Sequence, residues 1–235
     1  MNQFQNYGNA VDASFSTATT RKFLLNVYNW MAMGLAVTGI IAYGIASSDF
    51  VYTLMENPIL YFGLFILQLG VVIGLSAAIN KIPAGVAIGA FFLYSALTGL
   101  TMSVLFLIYT SASIASTFFI CAAMFGSVSV FGYVTKVDLT KFGTYFFMAL
   151  IGLIIASVVN IFLNSSTLNW IISYAGVIIF VGLTAYDTQR IKKLSQTVDY
   201  DTEEGKKSAV LGALTLYLDF INMFVFLLRI LGNRR

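Results

Sequence analysis

The chain has 235 residues, of which 59% are apolar and only 10% are charged, and its mean hydropathy is +0.86. Because a soluble domain carries about 25% charged residues, this composition excludes an ordinary water-soluble globule, and it excludes disorder as well. Thirteen Lys and Arg face ten Asp and Glu, for a net charge of +3. The positions of these few charges predict the elements in chain order.

Several kinds of site are excluded by what the chain lacks. It has no His, which removes Ser-His-Asp and Cys-His nucleophilic sites, HExxH zinc sites and His-ligated haem. The basic excess is too small and too scattered for a nucleic-acid partner. Neither a G-x-G-x-x-G nor a GKS/T loop is present, so no nucleotide site is expected, and no cofactor is predicted. The single Cys121 lies in an apolar run and is expected to be buried.

Charge-free runs predict seven membrane-crossing helices, since one crossing needs about 20 apolar residues. Residues 1–22 are expected to form a polar cytoplasmic tail, and 23–235 a single membrane domain. The runs are continuously apolar, which favours an all-α integral membrane protein. The predicted spans are 23–46, 59–79, 84–108, 113–134, 142–163, 168–190 and 208–230.

Basic residues predict the orientation of these spans. Ten of the thirteen lie at the N-terminus and in alternate connections, so strict alternation puts them on one side, while the connections 47–58, 109–112 and 164–167 contain none. The positive-inside rule therefore puts the N-terminus in the cytoplasm. Three arginines near the C-terminus conflict with this pattern, and the last segment either returns to the cytoplasm or breaks the rule; seven crossings are favoured because earlier spans usually dominate. These three are Arg229, Arg234 and Arg235.

Small residues and prolines give two further expectations. Pro58 and Pro83 both fall in predicted connections, so no span is expected to break at a proline. Pairs of small residues four apart let helices approach closely, and we expect them to mark packing within the molecule. The pairs are Gly70 and Gly74, Gly85 and Gly89, and Gly152 and Ala156.

Two acidic residues fall inside predicted spans. Asp187 lies near the cytoplasmic end of span 6, and Asp219 lies about halfway along span 7. A carboxylate at mid-membrane costs roughly 2.5–3.5 kcal/mol on insertion scales, so it usually faces a bundle interior or a water-filled cavity. Asp187 alone also fits a residue that caps the helix or reaches the interface.

Polar residues accompany both carboxylates at helical spacing. Thr215 and Asn222 share a stripe with Asp219, and Thr184 lies three residues before Asp187. Spans 6 and 7 are consecutive, so they are expected to be antiparallel neighbours. Two carboxylates in one low-dielectric pocket cannot both ionise freely. In a chain without His, such a pair is the natural proton sensor.

Four segments resemble the Bax inhibitor-1 family, also called the transmembrane BAX-inhibitor-motif family, and most closely its bacterial branch. The signature is GLTAYDTQ at 182–189. The similarity extends from about residue 20 to the end. The other segments are FLYSALTGLT at 92–101, GYVTKVDL at 132–139 and LGALTLYLDFIN at 211–222.

The resemblance implies a seven-helix bundle with the last helix at its centre, in the bacterial inner membrane. It also implies a pH-sensitive calcium leak whose carboxylate pair maps onto Asp187 and Asp219, where deprotonation opens the pore and protonation closes it. Thr184, Thr215 and Asn222 would form the supporting polar face. Calcium would be the transported ion, touching the two carboxylates transiently, and the partners would be the lipid bilayer, calcium and protons.

One departure from the family affects this implication. Some bacterial relatives carry an arginine on span 2 that latches onto the carboxylate pair, and the aligned residue here is Ala78. The pair therefore lacks a counter-charge from span 2, and proton sharing between the two Asp residues is expected to matter more.

Two other functions remain open at this point. An intramembrane aspartyl protease needs two aspartates on consecutive helices, and Tyr186-Asp187 resembles half of the presenilin-type pair. The segment ending at Asp219 is not G-x-G-D, however, and no Pro-Ala-Leu segment follows. A non-catalytic modulator of a membrane-protein partner, such as a quality-control protease or stress machinery, is also compatible with the resemblance.

Overall fold

The computed structural model describes residues 18–235 in full and, of residues 2–17, only their place in the first helix. The predicted tail, 1–22, lies mostly outside the fully described residues. Across that part of the chain the structure has seven helical segments long and apolar enough to cross a membrane, and no β-strand. The all-α, seven-span fold class is therefore confirmed. The segments are Ala18–Ala46, Pro58–Ala78, Ala84–Ile108, Ser111–Val134, Leu139–Leu163, Ser166–Leu194 and Glu203–Leu231.

Nine α-helices and one 3₁₀ turn make up the described chain. The 3₁₀ turn, Leu139–Phe142, precedes the fifth span. The helices are α1 Asn2–Ala46, α2 Phe50–Glu56, α3 Pro58–Ala78, α4 Ala84–Met102, α5 Leu105–Ile108, α6 Ser111–Val134, α7 Gly143–Leu163, α8 Ser166–Leu194 and α9 Glu203–Leu231.

The polar breaks in the sequence are helix ends with local caps. Thr110 and Ser165 accept hydrogen bonds from backbone N–H groups three residues on, which satisfies otherwise unpaired donors at the starts of α6 and α8. Asn164 ends α7 with a φ of 47°, in the left-handed region that Asn tolerates better than most residues. These caps explain why helices begin slightly before the predicted apolar spans.

Two features differ from the predicted spans. The third span is interrupted at Ser103 and Val104, so it consists of α4 and the short α5. The connection 47–58 contains α2, whose Val51 and Leu54 are fully buried against Val104. Neither feature involves a proline kink, because Pro58 is the first residue of α3 and Pro83 caps α4. The expectation that no span breaks at a proline is therefore confirmed.

The last helix is the most buried of the spans. It packs against α1, α4, α6 and α8, and its fully buried residues include Tyr217 and Met223. In contrast, α3 and α7 leave most of their apolar side chains exposed, as expected of helices that face lipid. The position of α9 at the bundle centre stays a prediction from the resemblance.

Close helix contacts occur at glycines other than the predicted ones. No neighbouring atom of the described chain lies within 4 Å of a Cβ built on Gly70, Gly74, Gly85, Gly89 or Gly152. The expectation of tight packing is therefore wrong for these five glycines, because their positions face open space. Ala156, the partner of Gly152, does pack against the core. A Cβ on Gly132 would instead clash with the backbone oxygen of Ala185, where α6 and α8 approach each other closely.

The basic connections meet at one end of the bundle. Lys22 forms a 2.7 Å ion pair with Asp201, Lys193 forms one with Asp138, and Lys207 donates to the backbone oxygen of Ile82. These contacts join the start of the first span to the connections between spans 2 and 3, 4 and 5, and 6 and 7.

The C-terminus lies at the other end. Asn233 accepts a hydrogen bond from the backbone N–H of Thr110 and donates one to the hydroxyl of Ser113, while the N–H of Arg235 donates to the oxygen of Ile108. The chain end is thus held against the break between the third and fourth spans, as seven complete crossings require.

Candidate functional site

Asp187 on α8 and Asp219 on α9 come together between the two helices. Their carboxyl groups lie within hydrogen-bonding reach of each other, and the residues are only 6% and 4% exposed. Helices α8 and α9 pack along each other, which brings the two residues together although 32 positions separate them in the sequence.

The contact between the carboxyls has a direct electrostatic consequence. Oδ2 of Asp219 is closed off from solvent and receives no hydrogen bond from the described chain when both carboxyls are ionised. A buried acceptor without a donor is costly, and a proton held by either carboxyl would supply one. The charge of Arg190, one helical turn further along α8, acts on Asp187, but the described chain contains no ion pair to either aspartate.

The two carboxyls lie at the wall of a cavity of about 760 Å³ bounded by α3, α7, α8 and α9. Its polar side chains are few and lie mostly on α8 and α9, whereas α3 contributes Phe65 and α7 contributes mainly aliphatic residues. The lining residues from α7 are Leu150, Leu153, Ile154, Ser157, Val158 and Ile161.

The predicted polar face is only partly assembled in this cavity. Thr215 and Asn222 line it together with Asp219, and each side chain donates a hydrogen bond to a backbone oxygen four residues earlier on α9. Their oxygens therefore remain available as acceptors. Thr184 is fully buried, donates to the oxygen of Phe180 and does not line the cavity.

The signature contains a residue whose role the sequence did not indicate. Gln189 is buried, accepts a 2.8 Å hydrogen bond from the N–H of Leu139 and donates one of 2.8 Å to the oxygen of Val137. It thereby fixes the connection between the fourth and fifth spans to α8, two residues after Asp187. Its position in the GLTAYDTQ segment was the sequence feature that could have drawn attention to it. The groups that its side chain contacts are shown only by the fold.

A surface ion pair reinforces this connection. Asp138 accepts hydrogen bonds from the ammonium of Lys193 and from Thr140, and these contacts, the lysine first, lower the pKa of the Asp138 carboxyl to about 2. Both partners of the ion pair are exposed, so the pair positions the loop more than it stabilises the protein.

The carboxyl pair has no third carboxylate or thiol beside it among the described residues. Across residues 18–235 no group of three or more Cys, Asp or Glu side chains is arranged to hold a metal ion. Calcium prefers six to eight oxygen ligands, and here two carboxylates are joined by the Thr215 and Asn222 oxygens in the same cavity. Cys121, which was expected to be buried, is buried against α9.

Comparison with known proteins agrees with the segments singled out in the sequence. Residues 20–235 match the family model described as "Inhibitor of apoptosis-promoting Bax1". The chain is 53% identical over 220 residues to the inner membrane protein YbhL of Escherichia coli, covering 93% of this chain and 94% of that protein. It is also 47% identical to an uncharacterized protein of Borreliella burgdorferi (91% and 93% covered) and 46% identical to one of Rickettsia prowazekii (92% and 91%).

Proposed function

Because the chain belongs to the Bax inhibitor-1 family of membrane proteins, we propose that it is a pH-sensitive calcium leak channel or transporter of the inner membrane, gated by protonation of Asp187 and Asp219. The E. coli relative is named an inner membrane protein. The family is in general non-enzymatic, and the proposal involves no catalysis. The N-terminus would be cytoplasmic.

The observation that carries the proposal is the contact between two buried carboxyl groups on different spans. When one carboxyl is protonated, its O–H donates to the other, and this bond ties α8 to α9 and closes the path. When both are ionised, two like charges about 4 Å apart repel each other by about 4 kcal/mol at an effective dielectric constant of about 20. Either the helices separate or a cation enters between them.

The surroundings of the pair favour control by a proton. The other charged group that acts on Asp187 is Arg190, which is exposed. The cavity residues contributed by α3 and α7 are uncharged, and the residue aligned with the family's span-2 arginine is Ala78, at the end of α3. With no cation from α3 to compensate them, the two carboxyls depend on a proton or a transported ion.

The same residues suit a calcium ion in passage. Ionised Asp187 and Asp219 supply the charge, and the Thr215 and Asn222 oxygens supply uncharged ligands in the same cavity. This set is smaller than the coordination calcium prefers, so the ion is held weakly. Weak holding is what conduction requires, because a tightly bound ion does not leave.

The test is calcium flux into proteoliposomes that contain the purified protein, measured at pH 6 and pH 8. Flux should be larger at the higher pH, and Asp219→Asn should abolish this pH dependence because an amide cannot titrate. Asp49→Asn is the matched control, since Asp49 is exposed and its side chain makes no capping hydrogen bond. Unchanged flux and an unchanged pH response in Asp219→Asn would contradict the proposal.

The carboxyl contact also favours a second candidate, an intramembrane aspartyl protease, because two carboxyls that share a proton form an aspartic dyad. The absence of G-x-G-D before Asp219 weighs against it. Cleavage of a membrane-embedded reporter by the purified protein, lost in Asp187→Asn, would favour the protease; no cleavage in the presence of pH-dependent calcium flux favours the leak.

A further inference from the structure

The cavity beside the carboxyl pair is bordered by apolar side chains that are exposed on the outside of the bundle. Phe65 of α3 and Ile154, Val158 and Ile161 of α7 line it, and these four residues are also among the exposed apolar side chains of the two most exposed spans. In a membrane these side chains face hydrocarbon. The mouth between α3 and α7 is therefore apolar, and a molecule entering by it comes from within the bilayer.

The charge in this cavity lies deep in the membrane. Asp219 is 12 residues after Lys207 and 10 residues before Arg229 on α9, which at 1.5 Å per residue is about 18 Å and about 15 Å from the two basic residues. Lipid headgroups lie at the level of such basic residues. The ammonium group of a membrane lipid therefore does not reach the carboxyl pair while its acyl chains stay in register with the bilayer.

We propose that the cavity binds a lipophilic organic cation dissolved in the membrane, with its positive charge against Asp187 and Asp219 and its apolar body between α3 and α7. The proposal uses the carboxyl pair of the proposed function but does not depend on calcium being transported.

Three observations specify this class of ligand. The volume of about 760 Å³ falls in the range of small-molecule sites, which are mostly apolar with few polar groups. Asp187 and Asp219 line the cavity and none of the described residues that line it is basic, so a positive charge is the complement that the cavity accepts. A hydrated inorganic ion does not cross the apolar mouth, whereas an organic cation whose charge is surrounded by apolar groups can pass between the apolar side chains of α3 and α7.

The experiment measures binding of tetraphenylphosphonium to the purified full-length protein in detergent micelles, by equilibrium dialysis without calcium. Tetraphenylborate has the same shape and the opposite charge. Tetraphenylphosphonium should bind saturably with one site per chain, and tetraphenylborate should not. Asp219→Asn should weaken tetraphenylphosphonium binding by at least about tenfold, because it removes the charge on one carboxyl without changing its shape.

A second pair of variants tests the cavity without touching the carboxyls. Val158→Trp places a large ring in the cavity and should weaken tetraphenylphosphonium binding by a similar factor. Val159→Trp is the matched control. Val159 lies on the same helix as Val158 and is similarly exposed, at 44% against 49% for Val158, but it does not line the cavity. The Val159→Trp variant should bind the cation as the unmodified protein does.

Two results would overturn the proposal: equal binding of the cation and the anion, or unchanged cation binding in both Asp219→Asn and Val158→Trp. The outcome is separable from the calcium leak. Saturable tetraphenylphosphonium binding by a protein without calcium flux supports the cavity assignment and contradicts the leak. Calcium flux without saturable tetraphenylphosphonium binding supports the leak and contradicts the cavity assignment.

Discussion

Replacement of Gln189 by Leu should release the connection that follows the fourth span while leaving the seven spans assembled. The side chain makes two 2.8 Å hydrogen bonds, from the N–H of Leu139 and to the oxygen of Val137. A hydrogen bond within a protein contributes about 0.5–1.5 kcal/mol net, so the two together hold the loop with about 1–3 kcal/mol. Because 1.4 kcal/mol is a factor of ten, local opening should become roughly 5- to 150-fold more frequent.

Hydrogen exchange of the backbone amides in residues 135–142, followed by mass spectrometry in micelles, measures this opening directly. Gln196→Leu is the matched control, because Gln196 lies seven residues further along the chain, is exposed and lies beside the same loop. Exchange should rise in Gln189→Leu and not in Gln196→Leu. If the Leu139 amide exchanges equally fast in the unmodified protein and in Gln189→Leu, the two side-chain hydrogen bonds do not hold the loop.

Three further changes have defined outcomes. Tyr217→Phe removes a 2.6 Å hydrogen bond to the hydroxyl of Thr38 and should lower the free energy of unfolding in micelles by about 0.5–1.5 kcal/mol; an unchanged unfolding midpoint would contradict this. Gly132→Ala places a Cβ against the backbone of Ala185 and should lower thermal stability clearly more than Gly126→Ala, whose Cβ meets no neighbouring atom within 4 Å in the described chain. The pKa of Asp138 is lowered from 3.8 to about 2, so its ion pair is intact above about pH 4 and is lost as the pH falls toward 2; a carboxyl ¹³C titration centred at 3.8 would contradict the contact.

The two residues of the candidate pair were predictable because a charged side chain inside a membrane span is costly and therefore rare. A carboxylate in an apolar span carries an insertion cost that the uncharged residues around it do not carry, so Asp187 and Asp219 stand out from the sequence without any alignment. That they belong to one site does not follow from that cost. Their contact depends on how α8 and α9 are rotated about their axes, and each helix is apolar on most of its surface.

The glycine pairs fail for the same reason. Spacing by four residues places Gly70 and Gly74 on one face of α3, but it does not say whether that face meets a helix or lipid. In the structure both face open space. Close approaches fall at other glycines such as Gly132. Spacing does not single out Gly132, because the position of Ala185 opposite it is a property of the packed bundle.

Short elements at the ends of the spans were also not predicted from the sequence. The helix α2 and the hydrogen bonds that hold Asn233 and Arg235 against the third and fourth spans depend on partners more than 40 residues away. Their own residues carry no periodic signal long enough to read. The C-terminal arginines conflicted with the positive-inside rule. These contacts show on which side they lie, because they hold the chain end at the opposite end of the bundle from Lys22.

The sequence by itself determined the number of spans, their limits within a few residues and the two acidic residues inside them. Those features follow from the free energy of transferring each side chain into hydrocarbon, which is a property of single residues added along one helix. Tertiary structure alone decided which faces meet, that the two carboxyls touch, that Gln189 fixes a loop and that a cavity opens between α3 and α7. These depend on packing and hydrogen bonds between segments far apart in the chain. In a lipid environment the faces that meet other helices and the faces that meet lipid are both mostly apolar, so the sequence of one helix does not distinguish its neighbours from the membrane.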